Sequence, residues 1–434
     1  MVTTITPTIV TLNVTQTVAP KPSQLQQSGA VVSAGGTTLP SGTYLYIGQP
    51  SDLTAILAPS LAITSMTWAS GTVTATVAAM TLAVGQTFLT TISGAVPAAY
   101  NGTYTATVAS STTFTFALAT TPGSETTPGT YTPNYVQHLM DVSTEFFAQG
   151  NAVGFYVLEL GAQATSTAAI TALGTWMTAN GTPQQFYVYL VPANWDGAAL
   201  NTLAAGYSSP NGRTYFVVST TTGTIADYAG NKAVVSVVPY TGQGITEQQA
   251  TPIFYQMIVN APSAANPAGP LAYRYVYDVT PWPDNSSALN GILTAYGNYI
   301  GTASQGGIAE DMILLGTTMD GEQFMWWYGV DWVAIQITQA LTSAVINGSN
   351  QNPPLIYNQN GINTLLAVAQ NVCNSAVAFQ LVLSATVTAQ SFASYTAQNP
   401  ANYNAGLYGG FACTVVGQNG FLKLTFNIDA VQFV

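Results

Sequence analysis

From residue 53 to residue 124 the chain carries not one Asp, Glu, Lys or Arg. The texture there is short Thr/Val runs broken by turn residues: ITSMTWASGTVTATV, TLAVGQTFLTTISG, then AAYNGTYTATVASSTTFTFALAT. β-Branched residues alternating with small polar ones suit a pleated, half-buried surface, so the segment is expected to be a small all-β unit. Asn101-Gly102, between two alternating runs, signals a hairpin. The run TYLYIG before this stretch reads as a core strand with no continuation until after it. Residues 53–132 are therefore expected to interrupt a larger domain.

Around that unit the pattern is different. Residues 1–22 read as an extended arm, with Val10, Leu12 and Val14 alternating with Thr11, Asn13 and Thr15 between prolines. A lone strand at a chain end has two unpaired edges and must pair with something. From about 134 helical and strand periods alternate: helix HLMDVSTEFFAQG with Gly150 as its stop, strand VGFYVLEL, then a helix over 167–179 with Ile170, Leu173, Trp176 and Met177 on one face. QQFYVYLVP, RTYFVVST, AVVSVVP and LAYRYVYDVT read as further strands, with helices at 197–206 and 246–260. Two later helices carry apolar stripes, Val330-Val333-Ala334-Ile337-Leu341-Ala344 and Ile362-Leu365-Leu366-Ala369-Val372, and Asp331 is expected in the first turn of the earlier one, where the helix dipole favours it. The end is again a strand pattern, Leu422, Leu424, Phe426, Ile428 and Ala430 alternating with polar residues. The expected fold is an α/β (α+β) core with a mixed sheet flanked by helices, a small inserted all-β domain, and extended terminal β-strand arms.

Charge narrows the function. Charged residues make up 5% of the 434, against about 25% in an ordinary soluble domain. A surface so poor in charge fits either a subunit buried against its neighbours or a neutral-surfaced protein working outside a cell. With five cations and a net charge of −11, no phosphate-tracking surface can be built, so no nucleic-acid partner is expected. The opening MVTTITPTIVTLNV has neither a basic start nor an apolar core, so no secretory signal is expected, and no apolar run is long enough to suggest membrane insertion. Folding in a cytoplasm follows.

Candidate chemistry is sparse. His138 is the only histidine, and no nucleophile-base arrangement can be argued around it. Cys373 and Cys413 match no metal spacing and are expected as buried free thiols. Glu310, Asp311, Asp320, Glu322 and Asp331 crowd one stretch. They can be helix and turn caps, a patch facing a partner, a cation site or a carboxylate pair. Gly306-Gly307 and Gly409-Gly410 lack a phosphate-loop lysine. The aromatics of FMWWYGVDW are read as core and interface anchors rather than a sugar platform. No cofactor is expected, and no catalytic residue is assigned.

The order of late elements resembles a known family. In MILLGTTMDGEQFMWWYGVDWVAIQITQALTSAVINGSNQNPPLIYNQNGINTLLAVAQNVC, a strand and a turn with Gly316, Thr317, Asp320 and Gly321 lead to a helix bearing Trp332. Pro354, Tyr357, Gly361 and Ile362 then open a second helix. This is similar to the contractile tail sheath proteins of myovirus-type bacteriophages, as is FFAQGNAVGFYVLELG upstream. The resemblance covers about 134–434 and the N-terminal arm. It implies a core at 23–52 and 133–420, a linking arm at 1–22 and a linking strand at 421–434. It implies a homo-oligomer of stacked six-membered rings around a tail tube protein, bounded by baseplate and terminator proteins, assembled in the host cytoplasm and located in the virion tail. Val10, Leu12, Val14, Leu422, Leu424, Phe426 and Ile428 would then pair with neighbouring subunits, and Glu310, Asp311, Asp320 and Glu322 would be the patch facing the tube. Readings that stay open are a non-contractile virion or surface-layer subunit, and a secreted carbohydrate-binding or hydrolytic protein.

Overall fold

A computed structural model describes residues 24–133, 135–181, 184–240, 247–283, 287–302 and 309–423. The expected linking residues Val10, Leu12, Val14, Leu424, Phe426 and Ile428 lie outside them.

In chain order, β1 (Gly29–Ser33), β2 (Thr43–Ile47) and the short α1 (Pro50–Thr54) are followed by β3 (Leu61–Ala69), β4 (Thr72–Val77), β5 (Thr87–Ser93), β6 (Gly102–Ser110), β7 (Thr113–Ala117) and β8 (Thr130–Tyr131). Then come α2 (Val136–Ala148), β9 (Phe155–Glu159), α3 (Ser166–Ala179), β10 (Val188–Leu190), α4 (Ala198–Ala205), β11 (Tyr215–Ser219), β12 (Val234–Val237), α5 (Glu247–Ile258) and α6 (Ser287–Thr294). The last part holds β13 (Tyr299–Thr302), β14 (Asp311–Leu314), α7 (Phe324–Ser349), α8 (Gln359–Ala378), β15 (Val382–Ala389), α9 (Phe392–Gln398), α10 (Pro400–Asn404) and β16 (Phe411–Gly417).

The central sheet runs β12-β11-β10-β1-β9-β2. Its first five strands are parallel and β2 is antiparallel to β9. The strands are near-continuous apolar runs because both faces are covered. Val31, Val157, Val188, Val217 and Val235 face a core with residues of α2, α5 and α7. Their neighbours Val32, Leu158, Tyr189, Phe216 and Val234 face a second core with residues of α3, α4 and α6. Local signals fix the helix starts: Thr165 accepts from the Ala168 N–H at 3.1 Å and Asn358 from the Gly361 N–H at 2.9 Å, each satisfying a donor the first turn leaves over.

Strands β3–β8 close into a barrel in the order β3-β4-β7-β6-β5-β8. Ile63, Val73, Ala75, Phe88, Ile92, Ala106, Phe114 and Tyr131 fill it, with Thr90 buried beside them and donating its hydroxyl to the Thr132 carbonyl, while most of the other strand threonines are half-buried or exposed. The strands before and after the barrel segment, β2 and β9, pair directly with each other.

Three expectations need correction. TYLYIG is an edge strand, with Tyr44 42% and Leu45 40% exposed; its aromatics are shielded by one another, Tyr44 lying edge-on to Tyr156, Trp176 and Phe186, so its apolar run does not mean a central place. LAYRYVYDVT is not a strand. Tyr273 and Asp278 have φ of 62° and 58°, a left-handed conformation that breaks a ladder, and only one bridge, Tyr275 to Met312, reaches β14. Asn101-Gly102 is not a hairpin turn: β5 and β6 pair, but residues 94–101 join them, and Asn101 holds that loop by bonding both the N–H and the C=O of Ala95. The two-residue turn with both φ positive is Ser70-Gly71, between β3 and β4, as a type I′ hairpin requires.

Candidate assembly interface

From Trp332 to Leu422 the chain again has no charged residue. This stretch builds most of α7, then α8 packed on it, and a two-stranded antiparallel sheet, β15–β16, lying over both helices. Two strands alone are marginal. Here one face is seated by Val382, Ala385 and Val387, which join the core that includes Ala369, Cys373 and Ala376 of α8.

The two edges of this sheet are not equivalent. The Gln390 N–H donates to the Gly410 carbonyl at 2.9 Å. With the register Thr388–Ala412 and Thr386–Thr414, alternation turns the backbone groups of Ala385 and Val387 away from β16, and those of Cys413 and Val415 away from β15. On β15 the outward groups are met by Gln370 of α8, whose Oε1 accepts from the Val387 N–H at 2.9 Å and whose Nε2 donates to the Ala385 carbonyl at 3.4 Å. One glutamine thus stands in for a neighbouring strand. No such cap is seen on β16 among the described residues. Beside it lies a groove of about 410 Å³ lined by Leu341, Val345, Ile356, Ile362, Leu365 and Phe411 among others. In the stripe Ile337, Leu341, Val345 of α7 the first two are half-buried and Val345 is 46% exposed. An open ladder beside an apolar groove is the geometry that accepts an extended segment. The expected linking residue Leu422 lies just beyond. The chain leaves β16 through Gly420, held at both N–H and C=O by Gln323, and the Leu422 carbonyl accepts from the Tyr273 hydroxyl.

No protein-family model and no curated protein matches this sequence. Among solved structures, a chain of the anti-feeding prophage baseplate, determined with 6-fold symmetrisation, is similar over 98% of this chain and 100% of its own, at 11% identity and a TM-score of 0.56. The chain has the fold of that baseplate subunit. A sheath tail protein from Listeria innocua is also similar, over 92% of this chain and 96% of its own, at 11% identity and a TM-score of 0.43.

Within this fold the acidic stretch is not one patch. Glu310 and Glu322 are exposed and Asp311, in β14, is half-buried. Asp320 is spent on its own turn: it accepts from the Thr318 hydroxyl at 2.6 Å, the Glu322 N–H at 3.1 Å and the Trp327 indole at 3.0 Å. Asp331 is not in a first turn, because α7 begins at Phe324. It is 2% exposed, its Oδ2 accepts from the hydroxyls of Tyr187 and Tyr215, both at 2.9 Å, and its Oδ1 is 3.9 Å from Lys232 Nζ. That ammonium also donates to the Gly212 carbonyl at 2.7 Å and sits 3.9 Å from the centre of the Trp327 ring. The knot joins the sheet to α7. Sequence reasoning missed it; the signal available was a lysine preceding an apolar strand and an acid inside an apolar helical stripe. His138 is buried in α2 beside Asp141 and Glu145, themselves buried. Cys373 is buried as expected, but Cys413 is exposed, because β16 is uncovered at that edge. Among the described residues no group of three His, Cys, Asp or Glu could hold a metal, and no helix is long and apolar enough to cross a membrane.

Burial pushes the Asp331 carboxyl up to about 6, with Lys232 and the two tyrosine hydroxyls pulling the other way. Burial also holds Lys232 below its usual value, opposed by Asp331. A carboxyl raised in the folded state favours folding fully below its unfolded value near 4 and loses that contribution as pH rises through 6. Lys232→Met removes the partner and raises Asp331 further. The variant is expected to lose about 3 kcal/mol at pH 8, where Asp331 must bury an uncompensated charge, and less than half of that at pH 5, where it binds a proton. Urea unfolding at the two pH values measures the difference.

Proposed function

We propose that the chain is a structural subunit of a contractile tail sheath, polymerising as stacked six-membered rings around a tail tube and shortening to drive that tube through a host envelope. The observation that carries the reading is the whole-chain likeness to a subunit of a six-fold symmetrised baseplate, in a molecule that offers an uncapped strand edge beside an apolar groove. The chain supplies candidates for the missing strand, since residues 8–17 and 421–431 are patterned as strands at its two ends. A strand donated from one copy to the β16 edge of another, with about five hydrogen bonds at a net ~0.5–1.5 kcal/mol each and apolar side chains entering the groove, makes a joint that holds while rigid bodies rotate. Shortening is then driven by burial between subunits rather than by a nucleotide.

On this reading the β3–β8 barrel is an insertion carried outside the rings, the chain works in a virion tail after assembly in the host cytoplasm, and its partners are copies of itself, the tube, the baseplate and the terminator. Glu310, Asp311 and Glu322 are the members of the acidic stretch with charge to present to a tube, Asp320 serving its turn.

Deleting residues 1–17 tests the joint. The truncated chain is expected to keep the far-ultraviolet circular dichroism of the full chain but to run as a monomer in light scattering at concentrations where the full chain polymerises. Polymers of normal length from the truncated chain would remove the N-terminal arm from the proposal.

A further inference from the structure

Two thiols meet at the open edge. Cys373 in α8 is fully buried and Cys413 in β16 is exposed, and their sulfurs lie 3.8 Å apart although 40 residues separate them in the chain. Both are free. We propose that Cys373 and Cys413 are a built-in redox pair that closes to an intramolecular disulfide when the protein meets a small-molecule disulfide, stapling β16 to α8. The inference is independent of the sheath reading, since it needs only these two side chains and an oxidant of that class.

The geometry gives the order of events. A disulfide bond is about 2.05 Å long, so the sulfurs, already in van der Waals contact, close by side-chain rotation. Cys413 is the sulfur that solvent reaches. Its thiol loses a proton, the thiolate attacks one sulfur of the small disulfide, that S–S bond breaks and one small thiol leaves. Cys373 then gives up its proton and attacks Cys413 Sγ in the mixed disulfide, expelling the second small thiol. The protein has lost two protons and two electrons, and the small disulfide, taking them up, has become two thiols. Burial, with Cys413 beside it, pushes the Cys373 thiol up to about 12, so the second step speeds up as pH rises. The closed bond encloses the last residues of α8, all of β15, α9, α10 and the start of β16.

The test uses the full chain, fully reduced and then incubated with oxidised glutathione at pH 8. Expected are a fall from two titratable thiols to none under denaturing conditions, a peptide joining Cys373 to Cys413 in a non-reducing digest, a single-chain band on a denaturing non-reducing gel, and a thermal midpoint raised by a few degrees and restored on reduction. Cys413→Ser should leave Cys373 unmodified, and Cys373→Ser should stop as a glutathione mixed disulfide at Cys413. Retention of both thiols, arrest of the native chain as the mixed disulfide, or cross-links between chains would each overturn the proposal. The digest of the native chain decides the matter even where Cys373→Ser fails to fold.

Discussion

Glu159→Ala is expected to destabilise the fold by about 5 kcal/mol, enough to leave little margin in a protein of ordinary stability. Glu159 ends β9 and is 1% exposed. Its Oε1 accepts from the N–H of Gly35 and of Gly161, both at 2.7 Å, and its Oε2 from the Ser33 hydroxyl at 2.9 Å, the Thr37 N–H at 3.1 Å and the Thr37 hydroxyl at 2.8 Å. Five donors converge on one carboxylate, and the loop after β1 is folded around it. Gly35 and Gly161 have φ of 102° and 77°, which glycine adopts without cost, so their N–H groups can turn toward the acid. Alanine leaves three backbone donors orphaned at about 1–3 kcal/mol each; the two hydroxyls can rotate elsewhere. Glu159→Gln keeps the shape but places an amide donor among donors, for an expected loss of roughly 3 kcal/mol. Urea denaturation orders the three proteins. A loss under 1 kcal/mol for alanine would mean that water replaces the carboxylate and that the latch adds little. The carboxyl ends of parallel strands are where open α/β sheets place ligands; at β1 and β9 that place is tied up by the chain's own 33–38 loop.

The second large effect concerns assembly rather than folding. Val415 directs its N–H away from β15, so proline there removes no ladder bond within the chain, and an edge strand tolerates it. Val415→Pro is expected to shift the unfolding midpoint only slightly, by on the order of 1 kcal/mol, from lost packing of a half-buried valine. For a strand arriving at that edge the substitution removes a donor and adds a ring in its path, about 2–3 kcal/mol per joint, or roughly 100-fold in association. Because a polymer repeats the joint, its critical concentration should rise at least that much in sedimentation. Unchanged assembly by a folded Val415→Pro chain would move the joint off β16.

Much of the architecture is local and could be read from the sequence. The face Ile170, Leu173, Trp176, Met177 is buried in α3, and the Thr/Val alternation of 61–117 yields strands because period two is a property of neighbours in sequence. What was not legible depends on partners far away. Asp331 finds Tyr187 and Tyr215 at separations of 144 and 116 residues, and no local pattern tells a buried acid with three polar partners from an acid capping a helix. Glu159 left a trace, a lone acid in the apolar run VLEL before a glycine, but its donors lie mostly on the loop after β1. The segment 271–280 has strand composition, yet two left-handed residues bend it off the ladder. That β15 is capped and β16 is not rests on the reach of one side chain, Gln370.

The most direct test is negative-stain electron microscopy of the purified full chain at rising concentration, beside the chain lacking residues 1–17. Hollow tubes or stacked six-membered rings from the full chain, and dispersed particles from the truncated one, are the result a strand-linked sheath subunit predicts. Dispersed single particles from both at every concentration would contradict it.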